Sequence, residues 1–347
     1  MPKLTSKGVQ ITLALLWLLD GLLQLQRPMF TSAFVKQIIL PASLGQPGFV
    51  KAPMQFGSHV FLLDPVIFNT LFVLLQLTIG LLILWRRSLK LGLGLSVVWG
   101  LIVWVFGEGY GGLLTGHSLL LMGAPGAAII YAILALAVWP TQSQQNKTKH
   151  KTAFWLVFVW LIIWFGGGIY QLLPGQNSAT SLAAMVQANA QGQPAWLASL
   201  DKSSARLVAS TAHIKQPLPK CQSGGQTMSM TGSQMAHMTS ESCTNSAYKP
   251  GYWLILLLTL LQFAIGLAVL IGQKSRQLAI YLGLILSLVF WLIGQSLGGL
   301  VSGLTTDPNS GPLIIILGLA ILGIDQLDLK LAIFSHKIQT FLIGSPK

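Results

Sequence analysis

The chain has 347 residues, a formal net charge of +13, 53% hydrophobic residues and only 8% charged ones. Its mean hydropathy is +0.67, whereas soluble globular domains carry roughly a quarter charged residues, so a soluble domain is excluded. Several apolar runs reach the roughly 20 residues needed to cross a bilayer core of about 30 Å, which points to an all-α membrane protein whose first partner is the lipid bilayer.

The N-terminus, "MPKLTSKGVQITLALLWLLDGLL", has a basic start followed by an apolar run, as a signal peptide would. The run continues past Gly21 without a small-x-small cleavage site, and the segment is echoed later in the chain, so it is expected to be retained as the first span. Asp20 lies inside that span. An ionised carboxylate there would cost at least about 2.5 kcal/mol, which makes it an acid/base candidate by default. The competing reading places it near the outer end, close to Arg27, reaching the interface.

Hydropathy predicts eight transmembrane helices, over approximately 9–26, 65–85, 90–107, 125–140, 153–173, 251–272, 277–296 and 311–325. The fourth and eighth are short, which calls for tilt or local thinning of the bilayer. Between spans, Phe30, Phe34, Val35 and Ile38 recur at helical spacing, as do Leu197, Leu200, Leu207 and Val208. Both segments fit amphipathic helices that lie on the bilayer or cover a cavity between repeats.

The basic residues punctuate the spans, in "WRRSLK" (Trp85 to Lys90), "NKTKHK" (Asn146 to Lys151) and "QKSR" (Gln273 to Arg276). That distribution belongs to cytoplasmic loops, and it removes the nucleic-acid reading of the high net charge. It predicts a plasma-membrane protein with both termini cytoplasmic and the long loops 27–64 and 174–250 outside. Trp85, Trp139 and Trp196 fall near the expected interfaces as belt residues.

The third span runs into "GEGYGGLLTGHS" (Gly107 to Ser118), with Glu108 and His117 flanking a glycine ladder. Glycine permits positive φ and close backbone approach, so the segment reads as a tight cap joining the third span to the fourth. A lone Gly-Tyr-Gly is a weak match to a potassium filter, and the stretch lacks the Lys and Ser/Thr of a phosphate loop. If the cap does chemistry, Glu108 and His117 are its acid/base candidates. A related stretch, "GQSLGGLVSGLT" (Gly294 to Thr305), carries Gln295 and Leu304 at those places and leads into the turn "TTDPNSGP".

A second chemical signal is "CQSGGQTMSMTGSQMAHMTSESC" (Cys221 to Cys243), bracketed by the only two cysteines. Met228, Met230, Met235, His237 and Met238, with Cys221 and Cys243, are soft ligands of the kind that select Cu(I). The two cysteines are equally suited to a disulfide in an oxidising compartment, within a polar loop. Zinc is disfavoured because the usual Cys-x-x-Cys or His-x-x-x-His spacing is missing.

Internal similarity organises the whole chain. Trp17, Gly21, Gln24 and the "GQP" at Gly45 to Pro47 match Trp164, Gly168, Gln171 and the "GQP" at Gly192 to Pro194 at one offset. "LLQLTIGLLIL" (Leu74 to Leu84) matches "LLQFAIGLAVL" (Leu260 to Leu270), and Trp104 and Gly107 match Trp291 and Gly294, at a larger offset. The growth in offset marks an insertion of about forty residues in the second half. The fold predicted is two parallel four-helix repeats, residues 1–145 and 146–347, with the Met/His/Cys insertion near 215–249.

The first-span stretch "LLWLLDGLLQLQRPMF", the turn "QLTIGLLILWRRSLKLGLGL" and their echoes resemble the DoxX-like (DoxD-related) family of four-helix membrane proteins. The tandem block is also similar to other bacterial multi-pass membrane proteins. Family members include a subunit of thiosulfate:quinone oxidoreductase. The resemblance therefore implies a membrane component of an envelope redox system, with quinone as cofactor and a redox partner subunit, and it assigns no catalytic residue. Copper handling by the Met/His/Cys loop, and a small-solute transporter or membrane scaffold, are the alternatives.

Overall fold

The first span begins at Thr5, whose hydroxyl accepts a hydrogen bond from the Gly8 amide at 3.1 Å and so satisfies one of the free donors at the start of α1 (Ser6–Leu23). The computed structural model describes residues 5–140, 147–211 and 252–323. After α1 come α2 (Ser32–Ala42), widened by one π-helical stretch at Val35–Ile39, and the amphipathic α3 (Gly48–Leu63). Asp64 then starts α4 (Pro65–Leu84) by accepting from the Val66 and Ile67 amides at 3.1 and 3.0 Å, with Pro65 at the first helical position where no donor is needed. α5 (Leu89–Phe106) and α6 (Ala127–Ala137) complete the first half.

The second half gives the same succession. It contains α7 (Lys147–Gln171), α8 (Ala179–Ala188), α9 (Ala195–Ser210), α10 (Tyr252–Leu267), α11 (Gln273–Val289) and α12 (Ser310–Gly323). A tight turn at Ala268–Leu270 extends α10, and a π-helical turn at Phe290–Gly294 extends α11. The Met/His/Cys segment lies outside the described residues, between α9 and α10.

Among the described residues, five helices are long and apolar enough to cross a membrane: Ser6–Leu23, Pro65–Leu84, Leu89–Phe106, Trp253–Leu270 and Gln273–Gly294. A third or less of each is buried in the protein, so the remainder presents apolar side chains such as Leu74, Leu81, Leu257 and Ile285 outward, as lipid requires. One expected span is shorter: α6 has only 11 residues. At 1.5 Å per residue α6 covers about 16 Å, roughly half of a bilayer core. The missing length is taken by the chain before it, which folds into the bundle. Leu119, Leu120 and Leu121 are 1%, 3% and 6% exposed. Leu120 lies against Gly167 of α7, and Leu121 against Gly294 at the end of α11. Non-helical backbone at such a place is tolerated because protein, not lipid, surrounds it.

Glycines set the helix pairs. A Cβ on Gly21 of α1 would come within 2.7 Å of Leu77 on α4, and one on Gly80 within 2.7 Å of Leu18. Leu18 and Leu77 are thus knobs seated on facing glycines, the small-residue packing that membrane helices use. Phe165 and Phe263 seat on Gly266 and Gly168 in the same way between α7 and α10.

One apolar core runs through both halves, from Leu13, Trp17 and Tyr131 to Trp160, Trp164 and Leu317. A smaller cluster, including Phe34, Val35, Met54 and Phe61, binds α2 and α3 together, with Phe68 and Phe72 of α4 packed against it. The paired segments around Phe34 and Leu197 are therefore seated on the bundle, and they cover what lies beneath.

Candidate functional site

Two caps of nearly identical conformation close the ends of α5 and α11. In the first, Gly109, Tyr110, Gly111 and Gly112 have φ of 53, 59, 62 and 72°, a full turn of left-handed backbone. In the second, Ser296, Leu297, Gly298 and Gly299 have φ of 47, 56, 68 and 70°. Left-handed conformation costs an L-residue about 1–2 kcal/mol, so Tyr110, Ser296 and Leu297 are held there by their surroundings. The holding contacts recur. Trp104 Nε1 donates to the Pro125 carbonyl and Trp291 Nε1 to the Pro308 carbonyl, each at 2.8 Å. Ser118 Oγ donates to the Gly111 carbonyl at 2.7 Å, and Thr305 Oγ1 to the Gly298 carbonyl at 2.9 Å. A Cβ on Gly111 would sit 1.9 Å from the Pro125 oxygen, and one on Gly298 2.3 Å from the Pro308 oxygen. Only glycine fits there.

Glu108 and Gln295 do matching work at the helix starts. Glu108 Oε1 accepts from the Ala127 and Ala128 amides, both at 3.1 Å, and so caps α6. Gln295 Oε1 accepts from the Gly311 amide at 3.0 Å, and so caps α12. The carboxylate is better placed than an amide against the positive end of a helix. Its second oxygen, Oε2, is nevertheless buried without a partner. Burial, followed by the charge of Asp307, pushes the Glu108 carboxyl up to about 8, against the opposing pull of the two amide hydrogen bonds.

Between the caps is a cavity of about 320 Å³. Its walls are the first cap with Glu108, Thr115 and His117, the second cap with Ser302, Thr306 and Asp307, the end of α2 at Ile38–Ala42, and the turn after α8 at Asn189–Gln193. No lysine or arginine is among the described residues that line it. Asp307 Oδ1 accepts from the Asn309 amide and Oδ2 from the Thr306 hydroxyl, both at 2.8 Å. Burial raises the Asp307 carboxyl, and these two bonds hold part of that rise back.

A third carboxylate lies beneath the floor. Asp20 is 2% exposed, faces the Tyr131 hydroxyl, and has one oxygen, Oδ1, with no partner. It does not reach an interface near Arg27, as one sequence reading expected. Tyr131 is one turn along α6 from the amides that hold Glu108, and its ring packs on Trp17 at 4.6 Å between centroids. A fourth buried carboxylate, Asp201 on α9, accepts from Ser296 Oγ at 2.6 Å and so pins the second left-handed turn. Its burial raises it to about 6.

The structure thus brings Asp20 and Glu108 to one region and places His117 in the cavity wall. Met228, Met230, Met235, His237, Met238, Cys221 and Cys243 lie outside the described residues. Among the described residues no three His, Cys, Asp or Glu side chains converge on a point where they could hold a metal ion. Sequence reasoning missed Asp307, which reads as an ordinary Asp-Pro-Asn turn, and Asn189 and Gln193, which read as loop. One signal was available: the chain has only eight acids, and four of them gather around the two caps, Asp20 and Asp201 buried and Glu108 and Asp307 half-buried. Known proteins supply no further guide, since no family model, curated protein or solved structure matches the chain.

Proposed function

We propose that this protein is a duplicated multi-pass membrane protein that binds a small polar solute in the cavity between its two halves, as a carrier or a solute-binding scaffold. The observation that carries this reading is the cavity itself. It is shared by both caps, it has room for a ligand of several heavy atoms, and its walls combine carboxylates, amides and hydroxyls with no fixed cation from lysine or arginine. The recurrence of the left-handed turns, the Trp–carbonyl bonds and the glycine-seated knobs supports the duplication.

The turns carrying Arg86, Arg87 and Lys90, and Lys274 and Arg276, stand at the opposite ends of α5 and α11 from the caps. By the positive-inside rule the cavity then opens to the extracytoplasmic side of the plasma membrane. Thr115→Cys, made with Cys221→Ser and Cys243→Ser, tests both points. A membrane-impermeant thiosulfonate should label it on intact cells, and a cationic reagent should react about tenfold faster than an anionic one of similar size. No labelling from outside, or faster reaction of the anion, would refute the reading.

The envelope redox role that the DoxX-like resemblance implies rests on the sequence, and so does copper handling by Met228, Met230, Met235, His237 and Met238. The first requires the purified protein to change the oxidation state of a quinone pool with a thiol or thiosulfate donor.

A further inference from the structure

The cavity wall contains two oxygens with open acceptor capacity. Glu108 Oε2 and Gln193 Oε1 are buried oxygens that accept from nothing. Below the floor Asp20 Oδ1 is a third, on a side chain 98% shielded from solvent (2% exposed). Buried acceptors left open cost about 1–3 kcal/mol each, so an occupant that supplies N–H donors is favoured at this place. The charge argues likewise. The charges of Glu108 and Asp307 oppose each other at a site whose described walls hold no lysine or arginine, and a second like charge in such surroundings is strongly disfavoured. The arrangement is therefore neutralised either by a proton or by a cation, and the two compete. A bare metal ion is the poorer cation, because the acids are spread along the walls and do not converge. An organic cation has its donors spread in the same manner and enough bulk to use a space of about 320 Å³.

We propose that the cavity takes a small organic cation with N–H donors, of the alkylammonium or guanidinium class, in exchange for a proton held on Glu108. This rests on the solute-binding reading above and names its ligand class. On binding, the Glu108 O–H bond breaks, the proton leaves to water, and the cation donates to the freed oxygen, so the charge of the site is unchanged. The groups near Glu108 are Asp307 beside the second cap and Tyr131 on α6, with His117 in the cavity wall; Asp20 on α1 stands on the far side of Tyr131's hydroxyl.

The test uses the full chain in lipid nanodiscs, in weak buffer with a pH indicator. Ethylammonium chloride is the probe, acetamide the uncharged probe, and sodium chloride the control for ionic strength. We expect ethylammonium to bind with release of close to one proton at pH 7, and its Kd to rise about tenfold for each pH unit below 7. Glu108→Gln should abolish proton release; the amide at Gln295 already caps α12, so this variant retains the cap. Asp307→Asn, which keeps an oxygen to accept from the Asn309 amide and presents an NH2 that can donate to the Thr306 hydroxyl, should weaken ethylammonium binding at least tenfold. Ethylammonium binding without proton release and independent of pH overturns the exchange. Acetamide binding with no ethylammonium binding overturns the ligand class while the solute-binding cavity stands. Binding of neither, together with Thr115→Cys closed to thiol reagents, removes both.

Discussion

Replacing Glu108 with Gln separates the two jobs of this side chain. Its Oε1 caps α6 through the Ala127 and Ala128 amides, and an amide oxygen can do the same, as Gln295 does for α12. Its ionisation, by contrast, is opposed by burial and by Asp307, which lift it from 4.5 to about 8. The sign follows from linkage. Below the unfolded value both states are protonated and the group contributes nothing. As pH rises from 4.5 towards 8 the unfolded chain gives up its proton while the folded chain keeps it, so stability falls, at about 1.4 kcal/mol per pH unit for one proton. Above about 8 the loss is complete, at a few kcal/mol, a figure that Asp307 shares because the two acids are coupled. Glu108→Gln should therefore unfold at nearly the same denaturant strength as the unaltered protein at pH 5 and be the more stable of the two at pH 8.5. The assay is reversible unfolding in mixed micelles, followed by tryptophan fluorescence, at half-unit pH steps. Parallel profiles for the two proteins would show that Glu108 is not the ionisation opposed by the fold. A variant weaker at every pH would show that the amide fails as a cap.

The caps and the outer loop give further expectations. Gly111→Ala should prevent correct folding or cost more than about 3 kcal/mol, because its Cβ falls on the Pro125 carbonyl, whereas Gly116→Ala, equally left-handed at φ 73° but in open space, should cost only about 1–2 kcal/mol. Equal thermal stability of the two variants would refute the close approach. Asp201→Asn should flatten the fall in stability between about pH 4 and 6, since burial raises Asp201 to about 6 and the folded state holds the extra proton in that window. An unchanged slope there, read from the same unfolding series, would assign the proton elsewhere. In the copper reading, the full chain binds Cu(I) stoichiometrically and loses it when Met228, Met230, Met235 and Met238 become Leu; unchanged binding in a competitive chelator titration removes that loop as the site.

Much of the frame was legible because it depends on local composition. Apolar length marked eight spans, of which five are long and apolar enough to cross a membrane among the described residues, and the matching of Gly107 with Gly294 pointed to two stretches that both take a left-handed turn. The glycine ladder announced unusual backbone, but only in the first half. In the second, Ser296 and Leu297 adopt the same left-handed turn with no residue preference to reveal it, because neighbouring contacts impose the conformation. Asp20 was legible as a carboxylate in an apolar helix. Its company was not: Tyr131 and Asp307 reach it from separate parts of the chain, and hydropathy carries no record of which helix faces meet. Asp307 was doubly hidden, since it does serve the turn by bonding the Asn309 amide while also standing in the cavity wall. The shortness of α6 was legible, since the fourth span was expected at 125–140, but the seating of Leu119 to Leu121 inside the bundle was not, because apolar residues before a helix carry no record of what they pack against.

That wedge has a counterpart. Leu120 and Leu121 of the first half fill space beside Gly167 and Gly294 of the second, while Leu304 packs on the α2–α3 cluster of the first half and the Thr305 carbonyl accepts from Gln26. Each half lends a loop to the other. In the duplicated reading proposed above, this is the topology of a domain-swapped dimer joined into one polypeptide. Residues 1–145 expressed alone would have a vacancy where the second half's loop belongs and a loop with no host. Such a fragment should pair with a second copy of itself, and the pair would have Glu108 on both sides of the shared cavity and no Asp307 on either.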